Sequence, residues 1–274
     1  MTTREYGKNI KLNHKQSTSI KDINEYQTKL KKHTTRAVTY PSKFSLASKY
    51  KMKILDQGDL SSCVVNVFCG IIHSLYGIDT SRLYYHFNAR VGTGLSPIED
   101  DGLYILKSYP ILQSFGFVPE IKWPYDTTKF SVIPPFATTY KIASITKPVT
   151  FEYVQQVNTI IKSALLANKF IMTGIRIYSS FMTLDVESTG IIPMPDTTTE
   201  KFEGGHAVII IGWCIYNKIR YYIIRNSWGT GWGNDGKTIP TPNFINNGSN
   251  GGFAYIPQTY ITDTLLAFEL FAVS

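Results

Sequence analysis

Three residue types that together can cleave an acyl bond are spread along this 274-residue chain. Cys63 precedes an apolar stretch, His206 lies 143 residues after it, and Asn226 lies 20 residues beyond the histidine. A thiol that passes its proton to an imidazole becomes a nucleophile, and an amide bonded to the imidazole holds one tautomer of the ring. The three residues therefore predict a nucleophilic cysteine site.

The segment around Cys63 has the apolar spacing of a helix, which we predict to span residues 61–77. Serines can cap its start and Gly77 can end it. Cys63 then lies in the first turn, where unpaired N–H groups and the positive end of the helix dipole favour a thiolate. Cys69, two turns further along, is expected to be an inert core residue.

The histidine and the asparagine are each expected at the end of a strand. His206 follows two glycines and begins the buried-strand pattern of residues 206–213, and Asn226 comes directly after the next such pattern. The amide of Asn226 can bond to the imidazole, and Trp228 can cover that hydrogen bond from water.

The wider pattern predicts helices first and strands later. Besides the helix at Cys63, we expect helices over residues 101–108, limited by Pro110, and over 150–168, with irregular chain between them at 125–143. A further helix is expected at 20–32. The expected strands are residues 170–177, 206–213, 220–225, 253–256 and 266–273. This order indicates an α+β protein, with a helical lobe packed against a sheet lobe.

Positive charge is concentrated at the start of the chain. The net charge is +8, but residues 1–53 hold 13 Lys and Arg against three Asp and Glu, whereas residues 54–274 hold 15 against 17. A basic arm can bind nucleic acid, but this one carries few aromatic residues for stacking on bases. We therefore expect no nucleic-acid partner, and an intramolecular association of residues 1–40 with the acidic body.

Composition also indicates where the protein works. No apolar run reaches the roughly 20 residues that span a bilayer, and the polar start lacks the apolar core of a secretory signal. The three cysteines are not closely paired. We expect no membrane association, and a reducing environment inside a cell or a particle.

Competing motifs are weak. Residues 231–236 match G-x-G-x-x-G, but no helix is expected to follow, as a dinucleotide site requires. The acidic run 99–101 is more typical of a solvated loop than of a cation site, and no histidine has metal-ligand spacing to a cysteine. We expect neither a cofactor nor a metal.

Taken together, the motifs resemble those of the papain-like cysteine proteases. In that family the catalytic cysteine follows a Gln-Gly-x-Cys-Gly-Ser pattern, and the asparagine lies in Asn-Ser-Trp-Gly. Here Gln57 precedes Cys63 by the family's six positions, and residues 226–233 read Asn-Ser-Trp-Gly-Thr-Gly-Trp-Gly. The resemblance covers residues 55–75 and 204–236 closely, and the rest of the chain more loosely.

Three departures from the family pattern surround the nucleophile. Leu60 stands where the family has a disulfide cysteine, Ser61 replaces a glycine, and Val64 replaces a tryptophan. The chain therefore looks like the disulfide-lacking bacterial or viral branch of the cathepsin-like enzymes. Because Ser61 and Val64 would line the cleft, the family's subsite preferences cannot be transferred to this chain.

The resemblance implies a fold of two lobes with a cleft between them. Residues 1–40 would form a basic extension and short pro-segment, 41–143 a mainly helical lobe with the nucleophile, and 144–274 a lobe built on an antiparallel sheet or barrel with the histidine and asparagine. It also implies a zymogen, in which the pro-segment covers the cleft or straps one face.

It further implies a peptidase that works through a thioester acyl-enzyme. Cys63, His206 and Asn226 would be catalytic, Gln57 and the Cys63 N–H would form the oxyanion hole, and Trp228 would support the site. The absence of a histidine-bearing cleft insertion favours internal cleavage of a peptide or protein. Two alternatives stay open: a catalytically silent binding module of the same fold, and a transpeptidase or deamidase that uses the same site.

Overall fold

The computed structural model describes residues 31–34, 39–143, 149–233 and 251–274. Within these ranges the helices are α1 (Cys63–Tyr76), α2 (Arg82–Gly92), α3 (Ile105–Ser114), α4 (Asn158–Leu166), α5 (Leu184–Thr189) and α6 (Gln258–Thr262). The strands are β1 (Phe44–Ser45), β2 (Phe151–Tyr153), β3 (Phe170–Tyr178), β4 (Phe202–Tyr216), β5 (Ile219–Arg225), β6 (Phe253–Pro257) and β7 (Ala267–Val273). Three helices thus precede most of the sheet, and the predicted α+β class is confirmed.

Helix α1 confirms the prediction made around Cys63. It begins at that cysteine and ends at Gly77, whose φ of 69° lets its N–H bond the carbonyl of His73. Its apolar residues are buried on nearly every side, because the helix packs between helix α2 and strands β3 and β4. The first turn of α1 is thereby held against the sheet.

Two predicted helices differ from the observed ones. The helix expected over 101–108 spans Ile105–Ser114 and contains Pro110. The apolar spacing continues past the proline to Leu112, and burial of that face outweighs the one backbone hydrogen bond that Pro110 cannot donate.

The helix expected over 150–168 is also shorter, because its start is strand β2, paired with β7 from Phe151 to Val273. Helix α2 was not predicted, since its buried residues include the polar side chains of His86, Asn88 and Arg90. Of the helix expected at 20–32, residues 20–30 lie outside the described residues, and Lys32 forms a bridge with Tyr153 instead.

The strands form one antiparallel sheet in the order β2-β7-β3-β4-β5-β6, and β1 pairs with β4. All five predicted strands are present, most of them one or more residues longer than expected. In the described residues the sheet is open, with β2 and β6 at its edges. Of the two predicted alternatives, an antiparallel sheet or a barrel, the structure therefore has the sheet. No helix in the described residues is long and apolar enough to cross a membrane.

A buried arginine joins the sheet to α1. Arg225, the last residue of β5, is 3% exposed, and its Nη1 donates to the Gly70 carbonyl at 3.2 Å and to Ser74 Oγ at 3.3 Å. Burial lowers the pKa of Arg225 to about 9, so the guanidinium stays charged at neutral pH. A Cβ atom added at Gly70 would lie 2.0 Å from Arg225 Nη2. The glycine therefore makes room for the charge.

Gly70→Ala is expected to lower the free energy of unfolding by about 2 kcal/mol or more, because the guanidinium must leave its hydrogen bonds while it remains buried. Gly77→Ala is the control: no atom lies within 4 Å of its Cβ position, and the positive φ alone costs about 1 kcal/mol. Denaturant unfolding measures both variants. A loss in Gly70→Ala no larger than that in Gly77→Ala would contradict this account of the contact.

Candidate active site

Cys63 is the first residue of α1, and its side chain is completely buried. The sulfur faces three backbone N–H groups, those of Ala207, Val64 and Cys63 itself, each of which lowers the thiol pKa. Burial acts in the opposite direction more strongly and raises the pKa of Cys63 to about 11. The contact with Ala207 shows that the fold brings the start of α1 next to the residue that follows His206.

His206 lies in β4, opposite Ile175 of β3, and is completely buried. Its Nε2 donates to Asn226 Oδ1 at 2.6 Å, which leaves Nδ1 as the proton acceptor of the neutral ring. Among the described residues Nδ1 has no hydrogen-bond partner. Burial lowers the pKa of His206 to about 4, although the bond to Asn226 favours the protonated ring.

Asn226 follows the last residue of β5, and its orientation is fixed from two directions. Oδ1 accepts hydrogen bonds from His206 and from the N–H of Ser227 at 2.8 Å. The indole of Trp228 lies over the His206 ring with 4.9 Å between their centroids, and Trp228 is 2% exposed. The indole thus packs on the imidazole that bonds to the amide.

Gln57 is held beside this asparagine by a pairing between two loops. Its N–H donates to the Ser227 carbonyl at 2.8 Å, and its side-chain Oε1 accepts from Ser227 Oγ at 2.8 Å. Its Nε2 donates one hydrogen to the Leu60 carbonyl at 3.1 Å. The side-chain oxygen and nitrogen are thereby distinguished, and one N–H of the amide remains for another acceptor.

The structure brings all five sequence-predicted residues together, but burial opposes the ion pair expected from sequence. A thiol pKa near 11 and an imidazole pKa near 4 favour the neutral thiol and neutral ring. Carboxylate charge at Asp100 adds to this, because it raises the thiol pKa of Cys63. Both side chains are 0% exposed.

Other residues singled out in the sequence have structural partners. Asp100 accepts hydrogen bonds from the N–H and hydroxyl of Ser61, at 2.9 and 3.2 Å, so this acid of the 99–101 run fixes the turn before Cys63. His73 bonds to Asp79 at 2.8 Å. No group of three metal-ligating side chains is found in the described part of the chain.

The remaining two cysteines differ from Cys63 in their surroundings. Cys69 and Cys214 are buried and unpaired, and burial raises the pKa of each to about 12. No backbone N–H group is among the main influences on the pKa of either thiol, whereas three such groups act on Cys63. They are therefore natural internal controls for the reactivity of Cys63.

Sequence reasoning missed two groups that contact the nucleophile turn. Asp100 was interpreted as part of a solvated acidic loop, and Tyr125 as part of an irregular connection, yet the Tyr125 hydroxyl donates to the Gln57 carbonyl at 2.9 Å. Both act across more than 35 residues of chain, and no local motif marks them. The acidic run was the one available signal for Asp100.

Comparison with known proteins identifies a family. Residues 101–239 match the papain family of cysteine proteases, a stretch that contains His206 and Asn226. A peptidase C1-like protein of Acanthamoeba polyphaga mimivirus is 31% identical over 80% of this chain and 68% of its own. A viral cathepsin of Adoxophyes honmai nucleopolyhedrovirus is 25% identical over 72% of this chain and 56% of its own.

Solved structures share the fold. Xylellain, a cysteine protease from Xylella fastidiosa, superposes with a TM-score of 0.75 at 23% identity, covering 100% of this chain and 98% of its own. A procathepsin B from Trypanosoma congolense gives a TM-score of 0.61 at 17% identity, covering 93% and 89%. The predicted papain-like architecture is therefore confirmed at the level of the fold.

Proposed function

The chain belongs to the papain family of cysteine proteases and is a peptidase, and on that premise we propose that Cys63, His206 and Asn226 form its catalytic site. The observation that supports this most strongly is the joint placement of the sulfur at the Ala207 N–H and of the His206 ring on Asn226 Oδ1. The thiol thus lies at the residue next to an oriented imidazole, and these are the two groups that a cysteine nucleophile requires.

The proposed reaction is acyl transfer through a thioester. As Cys63 Sγ attacks the peptide carbonyl carbon, its proton passes to His206 Nδ1, the nitrogen that the Asn226 bond leaves free. The Nδ1 proton then goes to the departing amine as the C–N bond breaks. Water, deprotonated by the same nitrogen, attacks the thioester and returns the free thiol with the carboxylic acid.

The charge that develops on the substrate oxygen needs two donors. The free N–H of Gln57 Nε2 and the backbone N–H of Cys63 are suited to this role, because Ser227 fixes the amide and the helix start fixes the backbone. A donor of this kind typically contributes about 3 kcal/mol to transition-state stabilisation. Trp228 excludes water from the ring that moves the proton.

We further propose that cleavage is internal, in peptide or protein substrates, since no histidine-bearing insertion marks a chain-end specificity. A transpeptidase or deamidase would use the same thioester, and is distinguished by its product: a new amide bond or released ammonia in place of two peptide fragments. A silent binding module would show no turnover.

A peptide-library digest analysed by mass spectrometry tests the proposal. We expect fragments from internal cleavage with the wild type and none with Cys63→Ala. Cys214→Ala is the control that removes another buried thiol. Equal activity in Cys63→Ala and the wild type would overturn the proposed site.

We propose that the basic extension is anchored on the body at Glu152. Lys31 Nζ and His33 Nδ1 lie 3.4 and 3.2 Å from the Glu152 carboxylate, which Lys169 Nζ approaches to 2.6 Å. His33 N also donates to the Tyr153 carbonyl. Burial raises the pKa of Glu152, but hydrogen bonds from Lys169 and His33 outweigh it and hold the pKa below its ordinary value.

In Glu152→Gln we expect trypsin to cleave after Lys31 and Lys32 several-fold faster than in the wild type, because the charged contacts that hold this segment are lost. Since the pKa of Glu152 is lowered by folding, the stabilisation is present above the ordinary pKa and is lost as the pH falls through the lowered value. Glu203→Gln, which removes a surface pair with Lys201, is the control. Unchanged trypsin cleavage in Glu152→Gln would contradict the anchor.

A further inference from the structure

A tyrosine from a distant loop joins the two ends of the nucleophile turn, residues 57–63. The Tyr125 hydroxyl donates to the Gln57 carbonyl at 2.9 Å and lies 2.5 Å from Ser62 Oγ. Gln57 carries a proposed oxyanion donor, and Ser62 precedes the proposed nucleophile. The Tyr125 hydroxyl oxygen therefore connects residues at both ends of the turn, although Tyr125 lies 63 residues after Ser62 in the sequence.

The hydrogen bonds around this oxygen run in one direction. The Gln57 carbonyl can only accept, so the single Tyr125 proton goes to it and Ser62 Oγ donates to the tyrosine oxygen. Asn66 Nδ2 in turn donates to Ser62 Oγ at 2.9 Å. Burial raises the pKa of Tyr125 to about 12, so the hydroxyl keeps its proton throughout the working pH range.

The tyrosine itself is held by a charged pair. The Arg82 guanidinium lies 3.7 Å from the centroid of the Tyr125 ring, and Glu120 Oε1 accepts from the Tyr125 N–H at 3.0 Å and from Arg82 Nη2 at 3.1 Å. Arg82 Nη1 also donates to Asn66 Oδ1 at 3.1 Å. Arg82 and Glu120 thus hold the ring and the backbone of Tyr125, and Arg82 also holds Asn66, which donates to Ser62.

The turn has backbone hydrogen bonds of its own, from the Leu60 N–H to the Gln57 carbonyl at 3.4 Å and from the Ser62 N–H to the Leu60 carbonyl at 2.7 Å, but neither spans the whole turn. It contains Gly58, whose φ of 60° is a conformation that other residues rarely adopt, and it lacks the disulfide cysteine that Leu60 replaces. Ser227 holds the Gln57 side chain, and Asp100 holds Ser61. Neither of these contacts fixes the Gln57 carbonyl, whereas Tyr125 does.

We propose that Tyr125 is a positioning residue for the oxyanion hole. By joining the Gln57 carbonyl to the Ser62 hydroxyl, it sets the distance between the Gln57 amide and the Cys63 N–H. Oxyanion donors act over a range of about 2.7–3.1 Å, so a small relaxation of the turn weakens both. The inference rests on the proposed function, and it concerns the acylation step rather than the ionisation of the thiol.

Tyr125→Phe tests this, since it removes one oxygen and keeps the ring under Arg82. We expect kcat for peptide hydrolysis to fall by about 10-fold, as for a displaced transition-state donor, with KM changed less than about two-fold. Alkylation of Cys63 by iodoacetamide forms no oxyanion, so its rate and pH dependence are expected to stay as in the wild type. A purely structural role would not separate the two reactions.

Tyr222→Phe is the matched control. The Tyr222 hydroxyl is buried and bonds to Asn158 Oδ1 at 2.6 Å, so the same atom is removed at a place outside the site. Both hydrolysis and alkylation are expected to stay at wild-type rates. Ser62→Ala is a second variant, which removes the hydroxyl that donates to Tyr125 and leaves the tyrosine unchanged. It breaks the same series of hydrogen bonds at its other end, and it is expected to reproduce the loss in kcat.

Three outcomes would overturn the inference: equal kcat in Tyr125→Phe and Tyr222→Phe, a parallel fall in hydrolysis and alkylation, or wild-type kcat in Ser62→Ala. A failure of the proposed function is distinct from these, because it would appear as turnover that survives Cys63→Ala. Thermal unfolding of each variant identifies any that has lost its fold. If either Tyr125→Phe or Ser62→Ala is unfolded, the kcat of the other variant decides the test.

Discussion

Replacing His206 by alanine is expected to lower kcat/KM for peptide hydrolysis by about 10⁶-fold, near the loss in kcat when the histidine is removed from a catalytic triad. The bond from Nε2 to Asn226 leaves Nδ1 of the imidazole as the nitrogen that can accept the thiol proton, and it fixes the required tautomer. Without it the thiol keeps its proton, since burial has raised its pKa to about 11.

The measurement is steady-state hydrolysis of a fluorogenic peptide, together with circular dichroism to establish folding. His73→Ala is the control, because His73 pairs with Asp79 away from the site and its loss is expected to leave kcat/KM within about two-fold. Comparable activities in His206→Ala and His73→Ala would remove the histidine from the mechanism. An Asn226→Ala variant that lost nothing would question the tautomer argument separately.

Replacing Gln57 by alanine is expected to lower kcat by about 10²- to 10³-fold, the range for loss of one oxyanion donor. Its amide is oriented by Ser227 and Leu60, and one N–H remains to meet the substrate oxygen. The backbone donor at Cys63 stays in place, which is why activity is reduced rather than abolished. Alkylation of Cys63 is expected to change much less than hydrolysis.

Parallel measurement of peptide hydrolysis and iodoacetamide alkylation separates these effects. Gln113→Ala is the control, since the Gln113 amide bonds to the Val149 carbonyl on an exposed part of the body. A kcat loss in Gln57→Ala no greater than that in Gln113→Ala would exclude the amide as an oxyanion donor. Equal losses in hydrolysis and alkylation would instead indicate that the variant disturbs Cys63 itself.

The parts of the site that sequence predicted are those written in short motifs. Cys63 was recognised because an apolar helix pattern starts there, and Asn226 because the residues after it have a distinctive run of tryptophan and glycine. Both signals consist of neighbouring residues, so they can be recognised from the sequence alone. The antiparallel pairing of β4 with β5 then brings His206 and Asn226 together.

The features that sequence did not predict depend on contacts between distant parts of the chain. Strand β2 is a strand because β7 pairs with it, more than 110 residues later, and helix α3 continues past Pro110 because Leu112 is buried. Tyr125 bonds to Gln57 across 68 residues. The neutral state of the thiol and imidazole likewise follows from burial, which a helix start alone does not indicate.

Burial decides the charge state of the candidate site. Cys63 and His206 are both 0% exposed, and this burial favours a neutral thiol and a neutral ring. The lobe boundaries at residues 40 and 143 stay predictions. The contacts of Lys31 and His33 with Glu152 provide one defined place at which the basic extension meets the body.

The most direct test of the central claim is to trap the acyl-enzyme. The enzyme is mixed with an N-acyl amino acid p-nitrophenyl ester and quenched in acid during turnover, and peptide fragmentation in a mass spectrometer locates the acyl group. We predict one acyl group per chain, on Cys63, and none on Cys69 or Cys214. Turnover with no acyl group on Cys63, or with the group on either other cysteine, would contradict the account.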